Sequence, residues 1–281
     1  MPIFEQDRLI AYVEKMPAFP KSVQKVVQLT SDINSPAKEI VRVIECDPVM
    51  TVKILKVINS SFYGLPHKVT SVQRAVVHIG LNTIKNLALS VAAIGMLSPN
   101  NKAGFNTSEF LLHSLTSAAI CKLLAEKQGL AQTACSDCFV AGLLHDFGKI
   151  VFAESAPVEF KQALDKSQNE QIALHVCEQE FIGINHAQAS KLLAEKWQLS
   201  DELITAIADH HATHPGSIMR DCIFAANQIS KTMHYGNAGN PVIETLPESI
   251  STRFNSNLED LIASLGDLTA VASEAASFIH S

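Results

Sequence analysis

Apolar residues recur at helical spacing along most of this chain. In the run 22–30, Ser-Val-Gln-Lys-Val-Val-Gln-Leu-Thr, residues Val23, Val26, Val27 and Leu29 lie close to one face of a helix. Met50–Ile58 and Ser71–Ile79 repeat the pattern. Ser35-Pro-Ala-Lys-Glu39 reads as a helix start. Ser35 is the expected N-cap, Pro36 the first helical residue and Glu39 an acid facing the positive helix end. Gly and Pro collect in short connectors, Tyr63-Gly-Leu-Pro66 and Pro215-Gly216. Sustained alternation of period two is missing, so the predicted fold class is all-α. Trp197 is expected in the core between helices.

The turn-rich run Ser98-Pro-Asn-Asn-Lys-Ala-Gly104 is the expected internal boundary, separating an N-terminal helical lobe, 1–104, from a second lobe, 105–235. The loop Tyr235-Gly-Asn-Ala-Gly-Asn-Pro241 then leads to a C-terminal segment, 236–281, expected to pack on the core, with helical pattern from Leu258 to Ile279. Charge divides at the first boundary. Residues 1–104 carry 12 basic and 7 acidic side chains, and the remainder carries 10 and 21. Such asymmetry steers a partner or packs the lobes together; the plainer reading is solvated surface. The whole chain is 47% hydrophobic and 18% charged, which excludes a largely disordered protein. A pI near 6.0 argues against a dedicated duplex nucleic-acid binder. Leu87–Leu97 is about half the length of a membrane span. Acidic residues come early and no export signal is legible. The six cysteines are sparse, and Cys135-Ser-Asp-Cys138 has no second pair at zinc-ribbon spacing, so reduced thiols and a cytoplasmic location are expected.

The informative chemistry is histidine. Eight of the eleven histidines lie between residues 113 and 234. Ala141-Gly-Leu-Leu-His-Asp-Phe-Gly-Lys149 sets His145 beside Asp146 after an apolar helical turn. Adjacent helical residues diverge by about 100°, yet both can reach one ion beside a helix end. Imidazole with carboxylate suits a divalent ion such as Mn, Fe, Ni, Mg or Zn. Gly148 is expected to end the helix, leaving Lys149 able to swing towards an anion. His113 lies on an apolar face, where a lone His reads as a satisfied core residue until other imidazoles converge on it. His186 opens a helix running to Trp197, and His210-His211 follow the helix 201–209. Buried neutral imidazoles need partners, and one cation satisfies several. His175, His214, Glu178 and Glu180 read as neighbours rather than ligands, with the glutamates as acceptors for ligating imidazoles or as plain solvated acids. His67 and His78 read as structural.

With His145-Asp146, upstream His113, and downstream His186 and His210-His211, the chain resembles the HD superfamily of metal-dependent phosphohydrolases. Leu29, Ile40, Ile44, Asp47-Pro48, Leu55, Val57-Ile-Asn59-Ser60, Tyr63-Gly64 and Val77-His-Ile-Gly80-Leu81 resemble the HDOD domain, a bacterial signalling module related to HD domains. The likeness covers roughly 15–235. It implies an HD-type helical bundle preceded by a helical lobe. It also implies a metal site in which His113, His145, Asp146 and Asn227 hold one divalent ion, and His186, His210 and His211 hold a second that shares Asp146. Asn227 stands where the family usually has an Asp; its amide oxygen brings no charge, and Asp221 is a possible substitute. The GYP loop of the binuclear subclass is replaced by Ala-Thr-His-Pro-Gly216. The function implied is a signal-transduction module that binds metal and a phosphate ester or nucleotide, with a protein partner on the basic N-terminal lobe. The alternative is an active phosphohydrolase or phosphodiesterase using metal-activated water, with Asp146 and Lys149 as its catalytic residues. A scaffold without an ion is the third reading.

Overall fold

The computed structural model describes residues 10, 13–14, 21–31, 36–60, 63, 65, 67–95 and 101–279. The expectations placed on Ser35, Gly64, Pro66 and residues 98–100 lie outside them. The described residues form helices and connectors, with no strand among them.

The N-terminal helices are α1 (Lys21–Ser31), α2 (Ala37–Glu45), α3 (Pro48–Ile58), α4 (Val72–Ile79) and α5 (Leu81–Gly95). Val23, Val26, Ile40, Ile44, Ile54 and Ile79 pack their shared core. Pro36 is extended and caps α2 rather than opening it, one residue off the expectation. The local motifs have evident mechanical roles. The Asp47 carboxylate caps α3 by accepting from the Met50 amide at 3.0 Å and also accepts from the Ser22 hydroxyl at 2.7 Å, so it joins α1 to α3. Pro48 supplies the preset φ of the first turn. The Asn59 amide donates to the carbonyls of Leu55 and Val69 at 2.8 and 2.7 Å, and its oxygen accepts from the Val69 amide at 2.7 Å, clamping the connector before α4. Gly80, at φ 81°, turns the chain from α4 into α5.

The second set comprises α6 (Thr107–Lys127), α7 (Gln132–Leu144), α8 (Gly148–Ser155), α9 (Pro157–Glu170), α10 (Leu174–Phe181), α11 (His186–Lys196), α12 (Asp201–Ala208) and α13 (Ile218–Thr232). The most extensive helix–helix packing is of α6 on α7 and of α13 on α6. Nearly every residue of α6 from Phe110 to Ala125 is buried. Gly142 makes this packing possible, because a Cβ there would lie 2.9 Å from the Ala118 backbone. Trp197 is 6% exposed and meets Phe147 edge-on, as a core residue does. The C-terminal residues form α14 (Glu248–Phe254), α15 (Leu258–Ser264) and α16 (Thr269–Ile279). The helical pattern from Leu258 to Ile279 is interrupted at Gly266, whose φ is 73°. Helix α16 packs on α6, and the Lys127 ammonium donates to the Ser264 carbonyl at 3.1 Å. No described helix is long and apolar enough to cross a membrane.

Candidate metal centre

Four segments meet at Asp146. Helix α6, capped by the Asn106 side chain, carries His113. Helix α7 ends with His145 as its C-cap, and Asp146 follows in the turn before α8. Helix α11 opens on His186 with a capping box of Asn185 and Gln188. His210 and His211 sit in the turn after α12. His113, His145, Asp146, His186 and His210 are each at most 1% exposed.

The two oxygens of Asp146 face different donors. Oδ2 lies 3.8 Å from His113 Nε2, 3.4 Å from His145 Nε2 and 2.6 Å from Lys149 Nζ. Oδ1 lies 3.0 Å from His186 Nε2 and 3.7 Å from His210 Nε2. His211 Nε2 is 2.8 Å from His186 Nε2. Two three-donor groups result, His113–His145–Asp146 and His186–His210–His211, each with its donor atoms within 4.8 Å of one another.

The imidazoles are oriented from behind. His145 Nδ1 donates to the Gly142 carbonyl and His210 Nδ1 to the Ile207 carbonyl, both at 2.7 Å. His186 Nδ1 meets the buried Glu178 carboxylate at 2.5 Å, and the same oxygen accepts the His186 amide at 2.8 Å. Each of these bonds turns an Nε2 lone pair inward. Those lone pairs therefore point at a carboxylate, which offers only acceptors. Nε2 of His145 and of His210 are buried with no hydrogen-bond partner, a cost of about 1–3 kcal/mol apiece. Acceptors aimed at acceptors are what a cation between them relieves, so this donor set fits a divalent metal.

Burial pushes the imidazoles toward neutrality. It takes His113 down to about 3 against the opposing pull of Asp146, and lowers His145, His210 and His211 as well. His186 runs the other way: burial lowers it, but Glu178 and Asp146 outweigh that and leave it raised. Burial would raise the Asp146 carboxyl, yet His145, Lys149 and His186 together hold it well below the usual range. Neutral imidazoles and an ionised carboxylate are the ligating forms.

Several expectations change. Gly148 does not end a helix; it opens α8, and a Cβ there would lie 2.1 Å from the His186 carbonyl. Its amide donates to the Ser190 hydroxyl at 2.8 Å, and that hydroxyl donates to the His145 carbonyl at 2.7 Å. Gly148 and Ser190 thus hold α11 against the His-Asp turn. The buried Lys149 ammonium pairs with Asp146 at 2.6 Å. Asp221 is no substitute ligand, because Arg220 Nε holds one oxygen at 2.7 Å and Arg253 Nε holds the other at 2.6 Å. Asn227 is buried on α13, about one turn before Ser230, whose hydroxyl accepts from Ser117 of α6 at 3.1 Å.

His175 stacks on His211 with centroids 4.1 Å apart. His214, His67 and His78 are exposed. Glu180 pairs with Lys166 at 2.7 Å, whereas Glu178 is the acceptor behind His186. Three contributors carried no sequence signal. Arg220 straps the loop after His211 by donating to the carbonyls of Ala212 and His214 at 2.8 and 2.6 Å. Gly236 presses the 235–241 connector onto α6, where a Cβ would lie 2.4 Å from the His113 amide. Lys231 donates to the Val242 carbonyl at 2.6 Å, and burial, with the nearby Lys149 charge, brings it down to about 8 despite Glu244.

A family model matches most of the chain. The HDOD domain model matches residues 16–213. An HDOD domain protein of unknown function from Geobacter sulfurreducens superposes with a TM-score of 0.73 at 20% identity, covering 99% of both chains. A structure described as a candidate metal-dependent phosphohydrolase from Shewanella amazonensis gives 0.61 at 16%, covering 98% of this chain and 99% of its own. At such identities the likeness shows the fold alone. An uncharacterized protein of Treponema pallidum (strain Nichols) is 24% identical over 206 residues, 71% of this chain and 38% of the relative. The uncharacterized protein YuxH of Bacillus subtilis (strain 168) is 32% identical over 97 residues, 34% of this chain and 23% of the relative. The chain thus spans well under half the length of these two curated relatives. With a family match over most of its length and helices throughout its described residues, this chain belongs to the HDOD domain family.

Proposed function

We propose that this HDOD protein is a signalling module whose buried centre binds a pair of divalent ions and, through them, a phosphate ester or nucleotide. The observation that carries the reading is the division of labour at Asp146: one carboxylate oxygen faces one imidazole set and the other oxygen faces the second. His113, His145 and Asp146 would hold one ion, with Asn227 as an uncharged fourth donor. His186, His210 and His211 would hold the other. The ions would supply positive charge to phosphate oxygens and lower the pKa of water. Lys149, already 2.6 Å from Asp146, supplies a further cation beside them. Residues 1–104, with their basic excess, serve as the lobe that contacts a protein partner, residues 105–235 as the metal lobe, and 236–281 as a brace on it.

A second reading, a metal-dependent phosphohydrolase, is favoured by one observation. Lys149 is 2% exposed beside the bridging carboxylate, where it can stabilise charge developing on a phosphoryl group. In that reading Asp146 and Lys149 are the catalytic pair. One experiment separates the two. The full chain is loaded with Mn and assayed for metal content and for turnover of a chromogenic phosphodiester and a nucleotide panel, beside Asp146→Asn. Metal bound without turnover supports the module; turnover lost in Asp146→Asn supports the enzyme. Absence of metal from the loaded protein contradicts both.

A further inference from the structure

A cavity of about 810 Å³ opens between α3, the described residues 59–60, 65 and 67–70 of the connector after it, α6 and α16, lined by none of the proposed metal ligands. Its volume falls within the roughly 300–1,000 Å³ typical of small-molecule sites. Its walls are apolar, from Val52 and Leu55 on α3, Leu65 and Val69 on the connector, and Leu115 on α6. Val52 is 65% exposed, which leaves a large apolar side chain in water at the mouth. Part of the wall is preformed, since the three Asn59 hydrogen bonds fix Val69 to the end of α3. Preorganisation of this kind lowers the entropic cost of binding.

The polar lining has a sign. Lys56, His67 and Lys68 are basic and Glu274 is the one acid. Lys56 donates to the Ser277 carbonyl at 3.0 Å, tying α3 to α16. Lys68 is exposed and sits on the connector wall.

We propose that this cleft binds a small amphipathic carboxylic acid, its apolar tail against Val52, Leu55 and Leu115 and its carboxylate at Lys68. Leu115 lies two residues from His113, so the occupant rests on the helix that carries a proposed metal ligand. The test uses the full chain and the fluorescent polyene cis-parinaric acid below its micelle concentration, displaced by dodecanoate or by dodecanol. Saturable binding of one acid per chain is expected, with dodecanoate the better competitor. Val52→Glu sets a carboxylate in the apolar wall and weakens binding about tenfold, and Lys68→Glu reverses the anchoring charge and weakens it about fivefold. Both positions are exposed, so folding is preserved, and circular dichroism and metal content stay unchanged. Unsaturable binding, an affinity unchanged from the parent chain in either variant, or displacement by dodecanol as efficient as by dodecanoate would overturn the proposal.

Discussion

At the residue scale the site turns on Asp146 and the groups behind it. Lys149 is the positive partner of a buried carboxylate, with side-chain exposures of 2% and 0%. Removing it from the metal-free protein leaves an uncompensated charge, so Lys149→Ala lowers stability by about 3–5 kcal/mol. Bound metal supplies the missing charge, so the loss shrinks in the metal-loaded protein. Thermal melts of both forms check this, and an equal loss in the two refutes it. Glu178→Gln weakens the acceptor behind His186 and lowers metal affinity about 10–100-fold, measured by chelator competition. The sequence showed which imidazoles to collect, because His145-Asp146, His186 and His210-His211 adjoin helix ends where polar side chains can aim at a common point. It did not show Arg220, whose role is to strap a distant loop. Nor did it show that Asp221 is consumed by two arginines, since Arg253 reaches it from 32 residues downstream.

At the element scale the site depends on close packing of α8, α11 and the His-Asp turn. A methyl group at Gly148 meets the His186 carbonyl at 2.1 Å and Ala189 Cβ at 2.8 Å. Gly148→Ala therefore forces α11 away, costing about 1–3 kcal/mol of stability and loosening the His186 set more than the His113 set. Metal stoichiometry at sub-saturating ion falls if this is right and is unchanged if it is wrong. The α5–α7 contact carries a pH signature. Burial raises the Asp137 carboxyl to about 6, partly offset by the Asn86 amide at 2.9 Å. Because the folded value exceeds the ordinary carboxyl value of 3.8, the native state holds the extra proton between them. The carboxylate is therefore a penalty that is absent below about 4 and complete above about 6. Asp137→Asn gains about 1 kcal/mol at pH 7.5, after allowance for solvent screening, and nothing at pH 4. Denaturant titrations at the two pH values read this directly. Helix existence was legible where one face is apolar, as in α1–α4. It was fainter in α6, whose burial on nearly every side erases the periodicity, so that His113 taken alone reads as core until the other imidazoles converge on it.

At the scale of the whole molecule, the fold gathers donors from α6, the α7–α8 turn, α11 and the α12–α13 loop, and braces them from outside. The 235–241 connector, expected only to link segments, presses Gly236 against His113. Residues beyond 213, outside the family match, supply Arg220, Lys231 and Arg253. These long-range braces have no local pattern, which is why sequence periodicity missed them. All-α class and the histidine cluster were legible, because each rests on local spacing or on residue type. The most direct test of the metal centre is an anomalous difference map from crystals of the full chain loaded with Mn. The account predicts two peaks flanking Asp146, one among His113, His145 and Oδ2 and one among His186, His210 and His211. Peaks elsewhere, or none at these donors, would contradict it.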